Sequence, residues 1–386
     1  MDPKQYRSLK AGRTILTPSG YWAFIPNPLP PDIPWTLPLV SALAEAERDL
    51  SKLAALTSTF PFPRLLIQPF IRNEAVISSR IEGTRASLAD LYTFETAQLS
   101  FFEQTNDVRE VYNYVRATDY GLERLKTLPV SLRLIRELHE KLMQNVRGGS
   151  LTPGEFRRSQ NWIGPFGSTP ASAPYVPPPV EEMHQALDAL EKFIHADIQI
   201  PPLARIGMIH YQFEAIHPFL DGNGRVGRLL IALLLCEWGL LPQPTLNLSA
   251  YIEHYRQMYY DYFLAVSQQG AWETWLRFFL RGISEQARDT LVRMERLQAI
   301  RDKYQSMVNK DRNPERMSAV VDFTFTRPIF SVRQASDGLG IPFKTAGDYI
   351  EKLIQAGLLR EITGYTRNRI YQADEIFRAV QGIDLE

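Results

Sequence analysis

A polar run between two apolar helical segments constrains this chain more than any other feature of its sequence. The run extends from His217 to Arg228 and has the sequence HPFLDGNGRVGR. Before it, apolar residues recur at helical spacing from Leu203 to Ile216, and after it a nearly all-apolar segment continues towards Gly239. Because a helix that is apolar on most faces is buried, the two segments predict two buried helices joined by a short polar turn.

The composition of this connection is suited to binding phosphate. Gly222, Asn223 and Gly224 lie where the second helix begins, so free backbone N–H groups and the positive end of the helix dipole converge there. Glycine lets a backbone approach an anion without an intervening side chain. Arg225 and Arg228 are three residues apart, so both guanidinium groups can extend from one helix face towards the same phosphates.

Two further residues of the run supply a metal ligand and a base. The carboxylate of Asp221 is a hard oxygen ligand, of the kind that binds Mg²⁺ together with substrate phosphates. His217 is the residue of the run that can take up a proton near neutral pH. Each residue alone is common in a core or a turn, but the full set predicts phosphoryl or nucleotidyl transfer.

The run resembles, with no departure, the HPFx[DE]GNGRxxR signature of Fic-domain proteins. The usual activity of that family is AMPylation, in which ATP donates AMP to a Ser, Thr or Tyr hydroxyl of a protein and pyrophosphate leaves. The resemblance implies ATP and Mg²⁺ as cofactors, and these roles: a base at His217, a metal ligand at Asp221, an anion hole at 222–224, and phosphate contacts at Arg225 and Arg228.

A second segment, upstream of the first, resembles the [ST]xxxE[GN] inhibitory motif of the same family. Residues 78–83 have the sequence SSRIEG, which places Ser78, Glu82 and Gly83 at the matching positions. Alone, this spacing is common, and a helix that ends at Gly83 explains it. In the family the glutamate pairs with the second signature arginine, here Arg228. It occupies the N–H groups of the guanidinium that would otherwise bind the γ-phosphate. The resemblance therefore implies autoinhibition by Glu82.

The resemblance also implies a flap and an adenine pocket. Residues 154–179 resemble the strand and β-hairpin flap that cover the active site, with Tyr175 and Val176 near an edge that can pair with an extended target; a surface connection is the alternative. Tyr260 belongs to a tyrosine pair similar to one that lines the adenine pocket, although an aromatic stripe is more often core. His210 is predicted as a packed or capping residue, and Arg157 as a solvated residue of a strand edge.

The C-terminal seventy residues, approximately, form a different unit. Segments Ser331–Gly340 and Ile341–Gly357 predict two helices with a tight turn, followed by two strands, an order that resembles a winged helix-turn-helix. Val320 to Glu386 contains eight Lys or Arg and nine Asp or Glu, so the basic footprint of a DNA-binding domain is missing. We expect protein interaction or dimerisation rather than DNA binding, with Arg367 and Arg369 as the candidate phosphate contacts.

Length, charge and cysteine content limit the number of domains, the partners and the cellular compartment that can be expected. A chain of 386 residues with 43 basic and 43 acidic side chains predicts several domains and no general attraction to nucleic acid or membrane. One cysteine and an N-terminus without an apolar signal indicate a cytoplasmic protein. The predicted fold is mainly α: a Fic helical core with a small β-hairpin flap, and a C-terminal winged helix-turn-helix. The predicted domains are an N-terminal inhibitory region (1–105), a catalytic domain (106–300) and the winged helix (318–386).

Three functions remain open at this point. The first is a protein adenylyltransferase held inactive by Glu82, which acts on a protein substrate that can include the chain itself. The second is the reverse reaction, de-AMPylation, in which Glu82 positions the attacking water. The third is a DNA-binding regulator whose Fic core acts as a sensor. A homodimer is compatible with the sequence, which contains no motif for it.

Overall fold

The computed structural model describes residues 1–59, 63–97, 106–146, 152–309 and 313–383. The described chain is mainly α-helical, with two small antiparallel sheets. The predicted mainly α fold with a small antiparallel β-hairpin is therefore confirmed. The predicted domain boundary at 105/106 lies at the edge of a range outside the described residues, and the boundary at residue 300 falls within a continuous helix.

The N-terminal part combines a hairpin with three helices. Strands β1 (Gly12–Leu16) and β2 (Trp22–Pro26) pair in antiparallel register, with Thr14 opposite Phe24. The helices are α1 (Leu37–Thr59), α2 (Pro63–Ile81) and α3 (Leu88–Ala97). Helix α2 ends just before Gly83, whose φ of 102° is accessible to glycine and strained for other residues.

The central part is a helical core. Its elements are α4 (Asn106–Arg124), α5 (Leu132–Leu142), α6 (Val180–His195), α7 (Pro202–Ile216), α8 (Asn223–Glu237), α9 (Leu248–His254), α10 (Arg256–Gln269) and α11 (Trp272–Val308). Helices α7 and α8 are the two apolar segments of the sequence, and both are buried along most of their length. Their burial fixes the connection between them in the interior, where other helices can reach it.

Helix α11 supports this core over 37 residues. It packs against α1 along much of its length and also contacts α7 and α9. At its N-terminal end the fully buried Trp275 donates its indole N–H to the Gly207 carbonyl of α7, at 2.9 Å. Gly207 permits this contact because a Cβ at that position would overlap the side chains of Leu276 and Phe279.

The C-terminal unit follows α11 directly. Its elements are α12 (Pro314–Thr326), β3 (Ile329–Ser331), α13 (Val332–Leu339), α14 (Phe343–Gln355), β4 (Arg360–Glu361), β5 (Ile370–Gln372) and α15 (Asp374–Gln381). The strands form one antiparallel sheet in the order β3-β5-β4. Ser331 and Gln334 form a capping box at the start of α13. This order of elements supports the winged helix-turn-helix, which stays a prediction.

One carboxylate connects the C-terminal unit to two helices of the N-terminal part. Glu95, near the end of α3, pairs with Arg72 of α2 at 3.0 Å and with Arg327 of the C-terminal unit at 3.4 Å. The side-chain amide of Gln334 on α13 donates to the Glu95 carbonyl at 3.3 Å. Arg72 and Glu95 are both almost completely buried. The position of the C-terminal unit is therefore coupled to that of α2.

The segment predicted as a flap differs from the prediction. Residues 154–179 contain a single antiparallel bridge between Ile163 and Tyr175, and the hairpin of this region is β1–β2 instead. Tyr175 and Val176 are buried rather than at an open edge, since the Phe24 N–H already donates to the Val176 carbonyl at 2.9 Å. The prolines of this segment lack the N–H groups that a longer ladder requires.

Within the described ranges, no helix is both long enough and apolar enough to cross a membrane.

Substitution of Trp275 tests how far α11 supports the core. Trp275→Ala is expected to lower the free energy of unfolding by about 3–5 kcal/mol, since it leaves a cavity between α7 and α11. Val292→Ala on the same helix changes an exposed side chain and should alter stability by less than about 0.5 kcal/mol. Urea unfolding followed by far-ultraviolet circular dichroism measures both, and equal effects would contradict the proposed packing role.

Candidate active site at the start of helix α8

The connection between α7 and α8 is held in an irregular backbone conformation. His217 ends α7 with φ 49° and ψ 62°, in the left-handed region that non-glycine residues rarely adopt, and Gly222 begins α8 with φ 78°. The buried side chain of Asn223 clamps the loop: its Oδ1 accepts the Phe219 N–H at 2.9 Å and its Nδ2 donates to the Phe219 carbonyl at 2.8 Å. The side chain of Asn223 is thus used within the loop, which leaves its backbone N–H to contact a ligand.

Two side chains that the sequence did not indicate as part of the site hold the other end of this loop. The guanidinium of Arg157 donates to the His217 carbonyl at 3.0 Å, and the amide of Asn161 donates to the same carbonyl at 3.0 Å and to that of Phe219 at 2.8 Å. Arg157 is 1% exposed, so the prediction of a solvated strand-edge residue was wrong. Burial among carbonyls lowers its pKa to about 10.

The geometry of His217 defines its protonation state. Its Nδ1 lies 3.2 Å from the Glu214 carbonyl, which can only accept, so the proton resides on Nδ1 and Nε2 carries the free lone pair. Burial is the largest influence on this imidazole and lowers its pKa to about 4, with the charge of Arg157 acting in the same direction. The ring is consequently neutral at pH 7 and can accept a proton at Nε2.

A second histidine fixes the loop from the opposite side. The ring of His139 on α5 stacks on Phe219 with centroids 3.7 Å apart. Its Nδ1 accepts the Gly154 N–H at 2.9 Å, so Nε2 carries the proton and donates to the Asp221 carbonyl at 3.0 Å. Burial lowers the pKa of His139 to about 4, so the ring stays neutral and retains this pair of hydrogen bonds.

The carboxylate of Asp221 is the exposed acidic group of the loop. Its side chain is 45% exposed, and Oδ1 accepts the Gly222 N–H at 2.6 Å and lies 3.7 Å from the Arg225 guanidinium. No group of three or more His, Cys, Asp or Glu side chains able to hold a metal occurs among the described residues. A single accessible carboxylate fits a Mg²⁺ that takes most of its ligands from phosphates and water.

Arg228 brings the predicted inhibitory segment to the start of α8. Its buried guanidinium donates from Nε to the Ser78 hydroxyl at 2.8 Å, and from Nη2 to the Ser78 carbonyl at 2.9 Å and to Glu82 Oε1 at 2.7 Å. The Glu82 carboxylate also lies directly over Gly224, where a Cβ would overlap its Oε1. Ser78, Glu82 and Arg228 are therefore in contact, and the Glu82–Arg228 pair is the one that the family resemblance implied; inhibition by Glu82 stays a prediction.

The charge on Glu82 follows from this environment. Burial acts to raise the pKa of its carboxyl group, but the charge and hydrogen bond of Arg228 outweigh burial and, with the charge of Arg225, bring the pKa below its ordinary value. Glu82 is thus ionised at neutral pH. An ionised carboxylate at the N-terminal end of α8 occupies the position that favours a phosphate oxygen.

The two signature arginines have separate partners. Arg225 is buried and donates to Glu110 of α4 at 3.0 Å, whereas Arg228 faces α2. Behind Arg228 lies Glu214, a buried carboxyl group. Burial is the largest influence on its pKa and, with the charge of Glu82, raises it to about 8 against the opposing charge of Arg228. Its Oε1 fills the space that a side chain at Gly227 would need. The sequence did not indicate Glu110 or Glu214, since single acidic residues within helices carry no pattern.

The two adjacent tyrosines of α10 have different environments. Tyr259 is buried and its hydroxyl lies 2.8 Å from His210 Nε2, so both belong to the core, as predicted for His210. Tyr260 is 36% exposed, and its pKa is raised by burial and by the nearby charge of Glu82. Tyr260 therefore lies on the accessible side of α10, facing the Glu82–Arg228 pair.

The fold and the site together define a class of protein. It is a helical domain with a candidate anion site at the start of one helix, and a carboxylate from the N-terminal part of the chain contacts that site. Residues 40–123 match the Fic/DOC family N-terminal domain and residues 129–235 match the Fic/DOC family domain. The chain is a Fic-domain protein.

The chain is also similar to individual Fic proteins. It is 30% identical over 203 residues to the protein adenylyltransferase Fic of Aedes aegypti and 29% identical to that of Culex quinquefasciatus, in each case over 51% of this chain and 37% of the relative. The chain thus spans little more than a third of the length of these relatives. A Fic family protein from Desulfovibrio desulfuricans G20 has the same fold, with a TM-score of 0.57 and 17% identity over 89% of this chain and 98% of that one.

A second solved structure shares the fold over a shorter region. Fic-1 (residues 134–508) from C. elegans gives a TM-score of 0.50 and 21% identity over 67% of this chain and 74% of that one.

The protonation state of His217 can be measured by NMR. We expect its Cε1–H signal, identified by its absence in His217→Ala, to keep the chemical shift of the neutral ring as pH falls from 8 to about 5. Because the folded pKa is depressed, the unfolded chain binds this proton first, and the contribution of His217 to stability falls between about pH 6.5 and 4. In urea the titration midpoint of this signal should be near 6.5. The same midpoint in the folded protein would show that the pKa of His217 is not lowered.

Proposed function

We propose that this chain is a protein adenylyltransferase that transfers AMP from ATP to a Ser, Thr or Tyr hydroxyl of a protein and is held inactive by Glu82. The single observation that supports this most directly is the contact of the Glu82 carboxylate with both Arg228 and the N-terminal end of α8. The relatives named protein adenylyltransferase Fic support the reaction, and they imply a protein substrate, which can include the chain itself.

In this proposal the neutral imidazole of His217 acts as general base. Its Nε2 takes the proton of the target hydroxyl, the hydroxyl oxygen attacks the α-phosphorus of ATP, and the bond to the β-phosphate oxygen breaks as pyrophosphate leaves. The hydrogen bond from Nδ1 to the Glu214 carbonyl orients the ring and stabilises the imidazolium that forms. Arg157 and Asn161 keep the ring in place through the His217 carbonyl.

The backbone N–H groups of Asn223 and Gly224 at the start of α8 provide the phosphate site, while the Gly222 N–H donates to the Asp221 carboxylate at 2.6 Å. They point along the helix axis where developing negative charge is stabilised without reorganisation. Arg228 would contribute its guanidinium to the terminal phosphate once Glu82 withdraws, and Arg225 adds positive charge from the Glu110 side. Tyr260 would lie beside the adenine ring.

Asp221 is the residue that would hold Mg²⁺. When bound, the ion would neutralise charge on the α- and β-phosphates and support departure of pyrophosphate. The protein provides one accessible carboxylate, which the Arg225 guanidinium approaches to 3.7 Å.

De-AMPylation is the second candidate function, and the exposure of Glu82 favours it. Its Oε1 accepts from Arg228, while 34% of the side chain remains exposed, so the other oxygen can contact a water molecule. The ionised carboxylate that blocks phosphate binding could then orient water towards an AMP-modified target. Both functions use the same site and differ in the role of one carboxylate.

Removal of the base is the first test of the proposal. In a Glu82→Gly background, His217→Ala is expected to lower AMP transfer by roughly 10²–10⁴-fold, the usual contribution of a general base. Transfer is measured with α-labelled ATP and Mg²⁺, and ATP binding should persist. His195→Ala changes an exposed histidine at the end of α6 and serves as the matched control. Unchanged transfer in His217→Ala would exclude this residue as the base.

Removal of the inhibitory carboxylate is the second test. Glu82→Gly should raise AMP transfer by about tenfold or more, since it frees Arg228 from a charge-assisted hydrogen bond worth about 1.5–3 kcal/mol. Intact mass after incubation with ATP detects AMP added to the chain itself. Arg80→Gly adds a glycine to the same helical turn and controls for loss of helix stability. No gain in transfer, together with loss of AMP removal from a modified target, would support de-AMPylation instead.

A further inference from the structure

A cleft of about 950 Å³ lies between the end of α3 and the C-terminal unit, away from the site at α8. One wall is formed by Thr93 and Thr96 of α3. The other wall consists of the first residues of α13 and α14, of the loop between β4 and β5 (residues 362–369, here called the wing) and of the start of β5. This volume is in the range of clefts that bind a nucleotide-sized ligand.

The charge of this cleft is positive. Arg333, Arg367 and Arg369 line it, and none of its lining residues is acidic. Arg333 contacts the ring of Phe343, and Arg369 donates to the Tyr365 carbonyl; neither Arg333 nor Arg367 has a carboxylate partner in the described ranges. Arg333 and Arg367 are thus two guanidinium groups on one concave surface without a carboxylate partner in the described ranges, and such groups attract a phosphate and can bind it bidentately.

Three acidic residues of the unit are engaged by groups other than Arg333 and Arg367. Asp374 pairs with Arg360 at 2.9 Å, and Glu375 pairs with Lys303 of α11 at 2.8 Å. The Glu361 carboxylate accepts the N–H groups at the base of the wing. A net charge near zero over residues 320–386 therefore conceals a local separation of charge, with the free arginines on the cleft side.

Two exposed aromatic rings stand at the same cleft. Phe343 is 55% exposed at the start of α14, and Tyr365 is 53% exposed on the wing. An exposed aromatic ring offers a flat apolar face on which a ligand can pack. A flat ring beside a guanidinium matches the two parts of a nucleotide, since a base stacks on the ring and its phosphate pairs with the arginine.

We propose that this cleft is a second nucleotide-binding site, which holds the phosphate on Arg333 and Arg367 and stacks the base on Tyr365 or Phe343. The nucleotide unit comes either from a free nucleotide or from a single strand of nucleic acid, which share this chemistry. A duplex is disfavoured because Asp348 and Glu351 on the exposed side of α14 would face its phosphates.

Fluorescence anisotropy of the full chain tests this site. The probes are a fluorescein-labelled single-stranded 12-mer, its duplex form and a fluorescent mant-labelled ADP. The cleft variant Arg333→Gln/Arg367→Gln is compared with Arg360→Gln/Arg378→Gln, which removes the same two charges from the same unit outside the cleft. Tyr365→Ala removes one ring without a change in charge.

We expect the wild type to bind the single strand or the mant-labelled ADP, and the probe that binds identifies the source of the nucleotide. The cleft variant should bind at least about tenfold more weakly and Tyr365→Ala about tenfold more weakly, whereas the control pair should match the wild type within about threefold. Thermal unfolding of each variant shows that the fold is retained.

Three outcomes would overturn the proposal. In the first, the wild type binds neither the single-stranded probe nor the mononucleotide probe. In the second, the cleft and control variants lose the same amount of affinity. In the third, the cleft variant binds as tightly as the wild type. The second outcome indicates general attraction by charge, and the third assigns the bound probe to the site at α8. Preference for the duplex over the single strand would likewise reject this geometry in favour of a groove-binding surface.

Discussion

The buried guanidinium of Arg228 is the interaction on which the arrangement of this molecule depends. A cation without solvent must be compensated within the protein, because an uncompensated buried charge is strongly destabilising. Here Ser78 and Glu82 of the α2 region supply the acceptors. The N-terminal helices are thus attached to the helical core by an electrostatic requirement as well as by apolar packing. An anion that replaced Glu82 would satisfy the same requirement.

The loop before α8 is held in a strained conformation by hydrogen bonds to its carbonyl groups. It carries backbone in the left-handed region, yet its carbonyl groups are satisfied by Arg157, Asn161 and Asn223 from three directions. These contacts fix the loop without use of the His217 ring, which remains neutral with Nε2 available. The same dehydration that makes the ring a weak base in the resting protein also strengthens each hydrogen bond around it.

The sequence predicted the helical class and the local chemistry because both reside in short-range patterns. Apolar periodicity identified α7 and α8, and the spacing from His217 to Arg228 identified the candidate site. Ser78 and Glu82 could be joined to Arg228 only through the family resemblance, because they are separated by about 150 residues. Arg157, Asn161 and His139 were missed, since their role depends on tertiary positions that leave no periodic signal. The flap prediction failed in detail because a hairpin near the N-terminus uses the backbone acceptor of Val176.

Glu95 has a property that neither of its arginine partners shares. It is the common carboxylate of Arg72 and Arg327, so loss of one arginine still leaves an ion pair, whereas loss of the glutamate charge leaves two guanidinium groups without it. One substitution there would weaken the contacts of α2 with α3 and of α3 with the C-terminal unit together. The coupling of these three parts is consequently not additive, and position 95 is the least replaceable member of the triad.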